Sequence, residues 1–288
     1  MNRKQEIRTF VELTKPRLTA LAVMATGVGF LMGSFRTLDW PRLLVTLLGA
    51  TLVGGGGNAL NEWLERESDA LMSRTKTRPL PMGRLQPRQA LVFGVAASVT
   101  GIAILGRFAN ALTGWVGAAT VLSYVGLYTP LKRRTAFCTL IGAIPGALPP
   151  VIGWTAARDA LGLEAAVLFF MLFLWQLPHF LAIALMYRDE YAQAGFQVLP
   201  VIEPDGSSTA RQMILYGLAL LTVSLFPTIL GVTGPVYFVG ALLIGLWFFG
   251  TAVAAAVQKS HTLATRVFLA SIGYLPAVLC LMILDRVV

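Results

Sequence analysis

Of the chain's 288 residues, 56% are hydrophobic and only 13% are charged, with 23 Lys and Arg against 14 Asp and Glu for a formal net charge of +9. The mean hydropathy is +0.70, whereas a soluble domain carries about a quarter charged residues, so an ordinary water-soluble enzyme is excluded. Nucleic acid is also excluded as the reason for the excess charge: in so apolar a chain, basic loops that set membrane orientation account for it.

In chain order, Met1 to Leu18 comes first, basic but holding Glu6 and Glu12 and lacking a small-residue cleavage site. It is not expected to act as a signal or transit peptide. Apolar runs follow, each long enough to cross roughly 30 Å of hydrocarbon. Spans are predicted near 18–34, 41–61, 89–107, 111–128, 136–156, 162–187, 212–231, 235–256 and 264–284. They show no strict alternation, so they read as helices, which satisfy their own backbone polar groups in lipid. The expected fold class is an all-α polytopic membrane protein of about nine transmembrane helices, with residues 1–288 as a single transmembrane domain. Cys138 and Cys280 both fall in apolar runs without metal or redox spacing and read as packing residues.

The basic residues fall mostly on one side of these spans. That side holds Arg3, Lys4, Arg8, Lys15 and Arg17, the loop from Arg66 to Arg88, Lys132 to Arg134, Arg188, Arg211, Lys259 and Arg266, 18 of the 23. Arg36, Arg42, Arg107, Arg158 and Arg286 fall on the other. The positive-inside rule then predicts a cytoplasmic N-terminus and an external C-terminus.

Orientation does not explain the acids. Four lie in Glu62–Asp69 and four in Asp189–Asp205, after spans two and six, a hint of a pseudo-repeat. If span two continues as helix, Asn58, Asn61, Glu65 and Asp69 share one face. Two carboxylates and two amides without His or Cys make a hard oxygen site suited to Mg²⁺, which takes one or two carboxylates and completes its shell with water and phosphate oxygens. Arg74, Lys76 and Arg78 follow at once and suit a phosphate anion. The plainer reading is the solvated end of a span followed by a positive-inside loop. The run Gly54 to Gly57 just before the stripe serves either tight helix packing or close approach of a ligand.

Asn61-x-x-x-Glu65-x-x-x-Asp69-x-x-Met72-x-Arg74-Thr75-x-x-Arg78-Pro79 resembles the first aspartate-rich motif of the UbiA-type intramembrane prenyltransferases, and looks most like their protohaem IX farnesyltransferase (haem O synthase) branch. The likeness runs over nearly the whole chain. It includes Leu13-Thr-Lys15-Pro16-Arg17, Tyr128-Thr129-Pro130-Leu131-Lys132-Arg133, the segment from Gly142 to Trp154, Trp175-Gln176-Leu-Pro178-His179-Phe180, and Asp189 to Val201. The Trp-Gln-x-Pro-His-Phe element is the most specific of these and points to the haem branch.

This resemblance implies a UbiA-like helical bundle with a central cavity, opening toward the cytoplasmic side of a prokaryotic plasma (inner) membrane. It implies farnesyl diphosphate and haem b as substrates, Mg²⁺ as cofactor, surrounding lipid, and a haem A synthase or terminal oxidase as assembly partner. Asn61, Glu65 and Asp69 are then the metal ligands, and Arg74 and Arg78 complete the catalytic set. Substrate-binding residues would be Asn58, Arg66, Lys76, Tyr128, Lys132, His179, Arg188, Asp189 and Glu190. The wider family's second Asp-x-x-x-Asp motif is incomplete here, since Gln193 follows Asp189 and Ala194 follows Glu190. One or two Mg²⁺ ions, and Asp189 or Glu190 as ligand, both stay open. His179 reads either as a packing residue or as a contact to haem; His261 reads as a surface residue. Pro145, Pro149 and Pro150 are expected to kink span five, and Phe169, Phe170, Phe173 and Trp175 to meet lipid, core or an isoprenoid tail. The rival readings are a prenyltransferase for an aromatic quinone precursor or chlorin, and a transporter of an anionic metabolite. A transporter normally keeps ionisable groups near the bilayer midplane, where this chain has almost none.

Overall fold

The computed structural model describes residues 3–34, 37–258 and 260–287, apart from the side chains of Arg3 and His261. Arg36 and Lys259, used above to orient the chain, lie outside the described residues, as do those two side chains. Among the described residues, nine helices are long and apolar enough to cross a membrane. They are span one Pro16–Gly33, span two Trp40–Asp69, span three Pro87–Ala109, span four Ala111–Leu131, span five Cys138–Arg158, span six Leu163–Met186, span seven Ser207–Ile229, span eight Pro235–Gln258 and span nine Thr262–Leu284.

The chain starts these helices with ordinary signals. Pro16, Pro41 and Pro87 stand in first turns, where a missing N–H costs nothing. Asp39 and Asn110 accept the backbone N–H groups of Arg42 and Thr113 at 3.0 and 2.8 Å, capping spans two and four. The main departure from expectation is span two, which runs to Asp69 instead of stopping near residue 61. Its 30 residues make about 45 Å of helix, so the last turns reach beyond a hydrocarbon layer of about 30 Å. No proline or glycine interrupts Asn58 to Asp69, and the helix carries its acids out on one rigid rod. Span seven likewise begins at Ser207 rather than near 212, and Arg266, counted above with the loops, lies inside span nine.

In lipid, helices gain little by hiding apolar surface from one another, and small residues that let backbones touch become the main adhesive. Spans two and three meet this way: Gly49 and Gly56 face Gly101 and Gly94, and a methyl at Gly56 would lie 2.8 Å from the Gly94 carbonyl oxygen. Spans one and five do the same, with Gly29 against the Pro150 backbone and Gly153 against the Thr26 and Phe30 backbone. Span five stays one helix through Pro145, Pro149 and Pro150. The second half packs spans six to nine around the buried rings of Tyr237, Phe248 and Tyr274. The helix Arg3–Leu13 lies against the polar end of spans two and three, with Leu13 buried and Phe10 5.2 Å from Phe93.

Candidate active site

Spans one, two, four, five and six enclose a cavity of about 440 Å³, within the range of small-molecule sites. One end is lined by Lys15, Asn58, Asn61, Glu65, Asp69, Arg74, Arg78 and Lys132; the walls beyond are apolar, including Leu21, Val53, Pro149, Ile152 and Leu172. The polar end follows from the helix period. Asn58, Asn61, Glu65 and Asp69 do lie on one face of span two, and all four are buried.

Each member of the stripe is met by a partner from elsewhere in the chain. Lys15 Nζ donates to Asn61 Oδ1 at 2.8 Å, Lys132 Nζ lies 2.7 Å from Glu65 Oε1, and Arg78 Nη1 donates to Asp69 Oδ2 at 2.6 Å. Arg78 also faces the buried Glu62 at 3.7 Å. Asn58 is held by donating to the Thr14 carbonyl and Thr19 Oγ1, both at 3.1 Å, and by accepting from the Tyr124 hydroxyl at 3.2 Å. Asp69 Oδ1 is left buried without a hydrogen-bond partner. Such an oxygen is costly unless a cation takes it.

The electrostatics of the cations differ. Burial, reinforced by nearby Arg78, lowers Lys15 to about 8 against the upward pull of Glu62, Glu65 and Asp69. Lys132 is also buried, which would lower it, but Glu65 and the Tyr128 and Tyr124 oxygens outweigh that and raise it well above the ordinary lysine value. Burial works against Arg78 as well, yet Asp69 and Glu62 hold it above the usual arginine value. The end of the cavity is therefore a dense lattice of opposite charges, able to exchange internal ion pairs for an anion and a divalent cation together.

Comparison with known proteins agrees with this geometry. The model of the UbiA prenyltransferase family matches residues 22–273. This chain belongs to the UbiA prenyltransferase family. It is 50% identical over 289 residues to the protoheme IX farnesyltransferase of Solibacter usitatus (strain Ellin6076), an alignment covering 97% of this chain and 99% of that one. A digeranylgeranylglyceryl phosphate synthase structure shares the fold with a TM-score of 0.83 at 17% identity, covering 98% of each chain. A UbiA homologue from Archaeoglobus fulgidus, bound to DMAPP and Mg²⁺, does so with a TM-score of 0.65 at 14% identity, covering 95% of this chain and 99% of that one.

The prenyltransferase cavity gathers only part of the residue set expected from sequence. Asn58, Asn61, Glu65, Asp69, Arg74, Arg78, Tyr128, Lys132 and His179 line it. Arg66, Lys76, Arg188, Asp189 and Glu190 do not. Arg66 turns outward to Glu67 at 3.2 Å and over the Trp63 ring, because it follows Glu65 on a helix and points to another face. Lys76 is exposed. The helix of span six ends at Met186 and Tyr187 breaks its line, which turns Arg188 and Asp189 outward, 3.8 Å apart. Glu190 instead fastens the two loops, accepting from the Ser73 backbone N–H at 2.9 Å and the Ser73 hydroxyl at 2.5 Å. Beside it Arg74 lies over the rings of Tyr187 and Tyr191 and donates to the Tyr191 hydroxyl at 2.7 Å.

Lining residues outside the expected set include Lys15, Tyr124 and Gln176. By charge Lys15 is one of several basic residues at the N-terminus, and its place before Pro16 in the Leu-Thr-Lys-Pro-Arg string is the one signal that sets it apart. The structure puts it in a left-handed turn, φ 49°, which aims its ammonium back at span two. Tyr124 and Gln176 also reach the cavity; Tyr124 carries no local signal, whereas Gln176 belongs to the Trp-Gln-x-Pro-His-Phe element.

Proposed function

We propose that this chain transfers the farnesyl group of farnesyl diphosphate to the 2-vinyl group of protohaem IX (haem b) with addition of water, giving haem O and diphosphate. The observation that carries the reading is the buried acid stripe of span two, interleaved with Lys15, Arg78 and Lys132, at the mouth of an apolar cavity. Its support beyond the site is the name of relatives that align along nearly the whole chain.

The residues present fit Mg²⁺. The donors are all oxygen, and Asp69 keeps one buried oxygen without a hydrogen-bond partner. Among the described residues no three His, Cys, Asp or Glu side chains converge, so the remaining ligands must be amide, water and diphosphate oxygen, the mixture Mg²⁺ accepts. Glu65 and Asp69, with Asn61 once it exchanges its bond to Lys15, would hold Mg²⁺, which when bound draws charge from the departing diphosphate. Arg78, Lys132 and Lys15 present donors to the same anion, and Arg74 closes the mouth from its place between two tyrosines. Preorganised charge of this kind stabilises the leaving group as the C1–O bond breaks. The apolar walls hold the farnesyl chain and the allylic cation away from bulk water. The electron-rich vinyl group attacks C1, and water takes up the positive charge left on the acceptor.

In this reading residues 1–288 form one transmembrane prenyltransferase domain in a prokaryotic plasma membrane. The N-terminus and the polar end of the cavity face the cytoplasm, and a haem A synthase or terminal oxidase receives the product. Incubation of purified protein with haem b, farnesyl diphosphate and Mg²⁺, followed by mass analysis of the pigment, tests the reaction. The expected product is haem that has gained a farnesyl group and the elements of water, only when Mg²⁺ is supplied. Unchanged haem beside an active control enzyme would move the acceptor to another prenyl-accepting ring.

A further inference from the structure

Span six carries chemistry that the mechanism above leaves unused. Gln176 and His179 sit one helical turn apart and both line the cavity. Across from them on span nine, the Ser271 hydroxyl donates to the Phe268 carbonyl at 2.6 Å. Its only proton is thereby committed. In the 2.6 Å contact between Ser271 Oγ and His179 Nδ1 the imidazole must then be the donor, and a neutral imidazole that donates from Nδ1 keeps its lone pair on Nε2.

That ring is also held in place. It stacks between Trp175, at 5.3 Å and 19°, and Phe268, at 5.1 Å and 25°. Trp175 is itself tied by Nε1 to the Ser271 carbonyl at 2.8 Å. With Nδ1 turned to span nine, Nε2 is the edge left for the cavity. Gln176 commits its amide nitrogen to the Leu172 and Ala143 carbonyls at 2.9 and 3.3 Å, which leaves Oε1 as an acceptor. That oxygen lies over Gly146, where any Cβ would collide with it.

Two acceptors on adjacent turns, each with its own donors already used, match the two hydrogens of one water molecule. We propose that His179 Nε2 and Gln176 Oε1 bind the water that adds to the prenylated acceptor, with His179 as its base and Ser271 as the positioning residue. The proposal rests on the haem-prenylating reading. In that reaction the vinyl π pair forms the new C–C bond and leaves a cation on the carbon next to the pyrrole ring. The water oxygen gives an electron pair to that carbon, one O–H bond breaks, and its proton passes to Nε2. The imidazolium keeps its Nδ1–H bond to Ser271 and returns the proton to the departing diphosphate. Without the held water, the cation ends as an alkene by losing a proton from the neighbouring carbon.

The test is the product ratio, read by mass analysis after reaction of the full-length protein with haem b, farnesyl diphosphate and Mg²⁺ in ¹⁸O-labelled water. The unsubstituted protein is expected to yield the labelled hydroxy product. His179→Ala and Gln176→Leu should raise the ratio of dehydrated to hydrated prenyl-haem by about tenfold or more, general-base assistance being worth at least that much. Ser271→Ala should raise it less, and Ser271→Thr should restore it. If His179→Ala makes no pigment at all, His179→Asn and Ser271→Ala decide by the same ratio. An unchanged ratio in the His179 and Gln176 variants overturns the proposal. So does a shifted Soret band of bound haem in His179→Ala with water incorporation intact, since Nε2 would then hold iron. Absence of any prenylated haem from the unsubstituted protein overturns the underlying reading instead.

Discussion

The two acidic clusters of this chain look alike on paper and end in opposite environments. Both follow a long apolar span and both carry four acids beside basic residues. The first rides on an unbroken helix, so its period carries Asn61, Glu65 and Asp69 to one buried face with a lysine or arginine set against each. The second begins where span six has ended, and Asp189 stands 91% exposed. Continuity of the helix, and not the count of charges, decides which cluster can hold an ion. Burial then raises the stakes, because a carboxylate with few waters must find a cation.

Substitutions on either side should reproduce that contrast. The largest effect is expected at Asp69→Ala, which removes a buried carboxylate oxygen that has no hydrogen-bond partner. Turnover should fall by about a thousandfold or more, while circular dichroism and membrane insertion stay unchanged; substantial remaining activity would detach the stripe from the chemistry. Lys132→Ala comes next. It strips Glu65 of its nearest cation, so thermal unfolding should reveal a loss of roughly 3 kcal/mol, together with a KM for farnesyl diphosphate raised about tenfold or more. The smallest effects belong to the second cluster. Glu190→Ala should cost only a few-fold in kcat/KM, through the lost bonds to Ser73, and Asp189→Ala should stay within about twofold, as an exposed pair does. A loss at Asp189 equal to that at Asp69 would erase the distinction.

Much of this is legible in the sequence. The nine apolar runs and the face shared by Asn58, Asn61, Glu65 and Asp69 follow from length and a 3.6-residue period, both local properties. What escaped is non-local. Lys15 meets Asn61 across 46 positions, and Lys132 meets Glu65 only because span four is laid beside span two. Nothing within a few residues of Lys15 separates it from the other basic residues of the N-terminus except the turn it makes. Asp189 and Glu190 differ for the complementary reason: the helix breaks at Tyr187 and the loop after it docks on Ser73 and Arg74, contacts that no window of sequence contains. The glycine run could be read two ways, and the structure uses both, with Gly56 packed on span three while Gly54 and Gly57 face the cavity.

The seams of touching backbone have a mechanical consequence. Where Gly29 meets Pro150 the nearest atoms are all backbone, and Gly56 and Gly94 each approach the other's carbonyl oxygen with only Ser98 and Leu60 packed beside them, which leaves little room to bend, slide or change rotamer. Spans two with three, and one with five, therefore behave as stiff double walls. Span six meets the cavity through long side chains such as Leu172, Phe180 and Ile183, which can swing without moving a backbone. Compliance is thus unevenly distributed: the acid stripe stands on the rigid side, where ion geometry has to be kept, and any swelling to admit a bulky ring falls to the pliant side opposite.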